Sequence, residues 1–77
     1  VDTIGTLILT WRDEAGLSQA ALADAVGWHR SQVNRLERDH LQRLDVAHLR
    51  RIAEVLGRTD EDFQGACDLW TAQRGAA

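Results

Sequence analysis

Residues 17 to 38 read LSQAALADAVGWHRSQVNRLER, and their spacing decides the fold. The stretch divides into two short helices, residues 19 to 26 and 30 to 38, joined by a tight turn at Gly27. Leu22 and Val26 stand four apart on the first helix. Val33 and Leu36 stand three apart on the second, so both pairs face one interior. Ala23 is small where two helix backbones must approach closely. Gly27 supplies the positive φ that reverses the chain at little steric cost. Ser18 is a strong N-cap, and Leu17 is placed to pack on Leu22 as a hydrophobic staple. At the second helix Trp28 is set to staple onto Val33, and the Gln32 side chain can reach back to the N–H of His29. His29 is itself a poor cap beside Ser or Thr, so its use there asks for another reason.

Working outward, residues 4 to 15 form a first helix. Ile4, Ile8, Trp11 and Ala15 follow the 3.6-residue period, Leu7 adds to that face, and Gly16 stops the helix. Residues 38 to 44, RDHLQRL, form a link in which Leu41 and Leu44 plug the core. Asp45 caps a helix over residues 46 to 56, onto which Leu44 staples at Leu49. Its buried stripe is Val46, Leu49, Ile52, Ala53 and Leu56, with Arg50 and Arg51 off that stripe and Gly57 ending it. Thr59 and Asp62 make a capping box for a last helix, residues 60 to 73. There Phe63, Ala66, Cys67 and Trp70 fall at i, i+3, i+4 and i+7, and residues 74 to 77 should fray. The expected architecture is all-α, a five-helix bundle in a single domain spanning residues 1–77.

Composition agrees. A chain of 77 residues buries only about 60% of its unfolded surface. A hydrophobic fraction of 44% is enough for a small helical core, and there is no proline. The β-branched residues form no alternating run, so no strand is predicted. No apolar run approaches the roughly 18 residues of a membrane span, and no signal-peptide pattern appears. A single cysteine, Cys67, excludes an internal disulfide and fits a reducing cytoplasm. The chain opens on Val1 rather than methionine, the pattern of a trimmed or excised domain.

Enzyme chemistry finds no foothold. His29, His40 and His48 have no second His, Cys or carboxylate at metal-ligand spacing such as H-E-x-x-H. There is no nucleophile elbow and no glycine-rich phosphate loop. A core this small does not enclose a pocket of a few hundred Å³. No enzyme activity, cofactor or metal is expected.

The motif resembles the helix-turn-helix domain of phage repressors and Cro, the Xre-like group. The resemblance is carried by Leu17-Ser18-Gln19, Leu22-Ala23, Val26-Gly27, Val33 and Leu36-Glu37, and with flanking helices it covers residues 4 to 63. It implies a lambda-repressor-like fold and sequence-specific binding of double-stranded DNA by a prokaryotic or phage transcriptional regulator, cytoplasmic and associated with the nucleoid. The second motif helix would lie in the major groove. The outward residues Arg30, Ser31, Asn34 and Arg35 would read bases, arginine at guanine O6 and N7 and asparagine at adenine N6 and N7. Gln19, His29, Arg38, His40 and Arg43 would contact phosphates. Arg12 would pair with Glu37, whose place beside the inward Leu36 calls for a cation. The resemblance also implies a dimer on a near-palindromic site, joined through the last helix, Leu9 or a further C-terminal region.

Three features depart from that pattern. Leu9, and in part Leu7, stand where the family carries charge. Asp39 stands where the family often has glycine, which places an acid near the expected phosphate surface. The net charge is −3, whereas nucleic-acid domains are usually basic. Distribution softens the last point. Residues 17 to 51 hold six Arg against four acids, and all nine basic residues are Arg, which suits bidentate contacts. A protein-interaction module of the same fold, or an antitoxin-like protein binding both DNA and a protein partner, stays open.

Overall fold

Local signals place the helix ends. In the computed structural model, which describes residues 3–41 and 43–75, five helices occur. They are α1 (Ile4–Ala15), α2 (Gln19–Val26), α3 (Arg30–Glu37), α4 (Val46–Val55) and α5 (Asp60–Gly75). No strand occurs among the described residues. Thr3 and Ser18 cap α1 and α2 by accepting from the N–H groups of Thr6 and Ala21. Thr59 and Asp62 bond reciprocally at the start of α5. At α3 the His29 N–H donates to Gln32 Oε1 at 2.9 Å, as the spacing predicts.

Three helices end on glycine in the left-handed region, Gly16, Gly27 and Gly57. The end of α3 has the same hydrogen-bond pattern. His40 N–H reaches the Arg35 carbonyl and Asp39 N–H the Leu36 carbonyl, the Schellman arrangement. Here the left-handed residue is Asp39, at φ 60°. That conformation costs a non-glycine residue of order 1 kcal/mol. Its side chain provides the compensation described below.

The core is one cluster. Ile4, Ile8 and Trp11 from α1 meet Leu22, Ala23 and Val26 of α2 and Val33 and Leu36 of α3. Leu44 from the loop, Leu49, Ile52 and Ala53 of α4, and Ala66 and Trp70 of α5 close it. Burying each large aliphatic side chain contributes about 1.5–3 kcal/mol, which is what holds short helices in place. α2 packs on α3 and α4, and α1 packs on α3 and α5. Gly5 is buried on the α1–α3 contact, where a Cβ would stand 2.5 Å from the Leu36 carbonyl oxygen and 2.7 Å from that of Glu37. Only a glycine lets these two helices meet so closely.

Several expectations are corrected at the edges. Val46 is 62% exposed rather than buried, because it opens α4 and lies to one side of the stripe formed by Leu49, Ile52 and Ala53. Ala15 is likewise exposed at the last position of α1, past the rim of the core. Asp45 precedes α4 with extended backbone but makes no side-chain cap bond; its carboxylate lies 3.8 Å from His48 Nδ1. Trp28 packs against the core cluster that contains Val33 and in addition stacks its ring on His48 at 5.2 Å between centroids. Arg74 and Gly75 are helical rather than frayed, while residues 76 and 77 lie outside the described residues. The reason is Gln73. Its Oε1 accepts from the Ile4 N–H at 2.8 Å and its Nε2 donates to Asp39 Oδ1 at 3.1 Å, tying the end of α5 to the start of α1.

Candidate nucleic-acid interface

The two-helix unit α2–α3 turns α3 so that Val33 and Leu36 are buried. The opposite side of α3 must therefore face solvent. Arg30, Ser31 and Arg35 are exposed there and Asn34 is half-buried. Four-residue spacing sets Arg30 above Asn34 and Ser31 above Arg35. Arg38 continues the first row at the helix end and is exposed. Ser31 adds little bulk at the head of the second row.

Four arginines elsewhere are engaged, while Arg43 of the loop and Arg74 make no ion pair or side-chain hydrogen bond among the described residues. Arg12 donates from Nε to Glu37 Oε2 at 2.6 Å and from Nη2 to Glu37 Oε1 at 3.1 Å. Arg50 sits beside Asp60 and over the Phe63 ring, and Arg51 reaches the Ala25 carbonyl. Arg58 pairs with Glu14 and lies over the Trp11 ring. Among the described residues, Arg30, Arg35 and Arg38 have no ion pair or side-chain hydrogen bond with the protein. Their five-donor forks are free for a planar acceptor.

Beneath this face lies a polar clamp. The Glu37 side chain is only 4% exposed and that of Arg12 16%. Arg12 Nη1 also donates to the Leu17 carbonyl at 2.8 Å, and Gln19 Nε2 donates to Glu37 Oε1 at 2.9 Å. One carboxylate thus holds α1, the start of α2 and the end of α3. Hydrogen bonding to Glu37 raises the Arg12 pKa above its ordinary value, outweighing desolvation. Gln19, expected at a phosphate, uses one amide hydrogen inside the clamp and keeps the second.

The other expected phosphate residues are spread out. His29 is exposed at the α3 start and His40 just beyond its end. Arg43 is exposed farther along the loop, where it shares a shallow hollow with Asp45 and Arg74. The structure gathers Arg30, Ser31, Asn34 and Arg35 on α3 with Arg38 as its C-cap; Arg43 belongs to the loop.

Asp39 overturns its expected role. Rather than opposing phosphate, its carboxylate is turned back toward α1. Oδ2 accepts from the Thr3 hydroxyl at 2.7 Å, and Oδ1 from the Gly5 N–H at 3.0 Å and from Gln73 Nε2. Desolvation alone would raise its pKa, but bonds from Thr3, Gln73 and Gly5 and the charge of His40 together hold it below the ordinary carboxylate range. Sequence reasoning missed Thr3, Gly5 and Gln73. The only signal for them was a glycine inside a helical pattern.

No helix of the described residues is long and apolar enough to cross a membrane, and none of their His, Cys, Asp and Glu side chains gather in a group able to hold a metal. A small helical domain that offers unpaired arginines from the second helix of a tight helix pair is built as a helix-turn-helix module. The helix-turn-helix family model matches residues 8–63, and the chain belongs to this Xre-like family of DNA-binding regulators. No individual characterised protein matches the chain.

Proposed function

We propose that the domain binds double-stranded DNA in a sequence-specific way, with α3 in the major groove, as a transcriptional regulator. Arg30, Ser31, Asn34 and Arg35 read base edges. Gln19, His29, Arg38, His40 and Arg43 hold the flanking phosphates. One observation carries the reading: the arginines of α3 are exposed and, among the described residues, have no ion pair or side-chain hydrogen bond, while Arg12, Arg50, Arg51 and Arg58 are engaged. The clamp of Arg12, Gln19 and Glu37 fixes the angle at which α3 leaves the core, so the reading surface is rigid before DNA arrives.

A single module covers little DNA, so binding is by a two-fold dimer on a near-palindromic site, with half-sites about one helical turn apart. Selection of bound sites from a random duplex pool tests both claims. The expected product is an inverted repeat containing G and A at fixed positions. Recovery of unselected sequence, or no retention of mixed duplex at low salt, refutes the reading.

A further inference from the structure

We infer that the side of the domain away from α3 docks a basic amphipathic helix of another protein, in a groove between α1 and α5. The groove has an open volume of about 480 Å³. Leu7, Trp11, Ala66 and Leu69 form its floor. Leu7 and Leu69 are half-buried, so apolar surface remains for a partner to cover. Gly65 leaves a gap in the α5 wall: a Cβ there would meet nothing within 4 Å. Glycine is unfavourable inside a helix, and packing within the domain does not explain this one.

Charge selects the occupant. The end of the groove at the start of α5 is acidic, lined by Glu61 and by Asp62, which also accepts from the Thr59 N–H, and no basic residue lines the groove. The two carboxylates, with no cation lining the groove beside them, repel nucleic acid and attract a cationic partner. The walls are helices with satisfied backbones, so they offer no edge to an extended strand. A third helix can fill the channel with an apolar stripe. The wall from residue 61 to 69 is about 12 Å long, room for roughly two turns. Lysines or arginines at one end of the stripe then meet Glu61 and Asp62.

The test uses the intact chain and two labelled peptides of about 14 residues, roughly four helical turns. One carries a leucine stripe flanked by lysines, the other the same stripe flanked by glutamates. Fluorescence anisotropy is expected to show the lysine peptide binding at least about tenfold more tightly. Amide shifts should concentrate at Leu7, Trp11, Gly65 and Leu69. Gly65→Leu fills the gap from within and should weaken the lysine peptide by about tenfold or more, with unchanged circular dichroism and thermal midpoint no lower than the parent. Glu61→Lys should weaken it without altering the fold. The inference fails if the lysine peptide does not bind at about 1 mM, if both peptides bind equally, or if the shifts map to α3. It also fails if Gly65→Leu converts a sedimenting dimer to monomer, which would seat a second copy of this chain in the groove.

Discussion

Asp39 accepts a hydrogen bond from the backbone N–H of Gly5 at 3.0 Å, although 34 positions separate them in the chain. Thr3 and Gln73 complete the clasp, so one carboxylate joins the end of α3 to the start of α1 and the end of α5. The folded carboxyl titrates below its ordinary range. The stabilisation it gives is therefore fully present above the unfolded pKa and is lost as pH falls through the lower, folded pKa. Asp39→Asn removes the charge while keeping the shape. Thermal midpoints should show the parent more stable at neutral pH, with the difference shrinking below about pH 4. Parallel pH profiles would show that the charge contributes nothing.

Gly5 tests the same junction from the other side. A methyl at residue 5 would press on the carbonyl oxygens of Leu36 and Glu37, which are backbone atoms with little room to yield. Gly5→Ala raises helix propensity, yet it should destabilise by about 1–3 kcal/mol because α1 must lift from α3. Denaturant melts give the sign directly. A stabilised Gly5→Ala variant would mean that the helices separate at no cost. Gly65→Ala is the control: it meets no neighbour and should stabilise by about 0.5–1 kcal/mol.

The Arg12–Glu37 pair allows a double-mutant cycle. Glu37 is nearly enclosed, so Arg12→Met strands a buried carboxylate and should cost about 3–5 kcal/mol. Glu37→Leu added to Arg12→Met should recover most of that loss. DNA affinity should not recover with it, because Gln19 loses its anchor and α3 its fixed angle. Urea melts and binding titrations on the four proteins of the cycle, the parent, Arg12→Met, Glu37→Leu and the double variant, separate the two effects. Additive stability losses would show that the charges act independently.

Much of this was legible in the chain. The bounds of α2 follow from Ser18, Gly27 and the spacing of Leu22 and Val26, and those of α1 from Gly16 and its periodic face. The free face of α3 follows from the inward turn of Val33 and Leu36. Errors gathered where helical period outruns the core, at Ala15 and Val46, and where contacts span the chain. Nothing near Asp39 in sequence announces that Gly5 and Gln73 will meet its carboxylate. Asp39 therefore read as a stray acid on a phosphate surface, and the tail after Gln73 as loose.

Specific and nonspecific contacts should separate cleanly by position. Arg35 lies on α3 and Arg43 on the loop, and among the described residues neither guanidinium has an ion pair. Arg35→Ala should cost about 1–3 kcal/mol on the selected site and relax the preference at one base pair. Arg43→Ala should weaken selected and mixed duplex alike and reduce the slope of log affinity against log salt by about 1. Titrations over a range of salt with both duplexes decide it. Equal losses for Arg35→Ala on every sequence would reduce that residue to a phosphate contact and leave the reading of bases to Arg30 and Asn34.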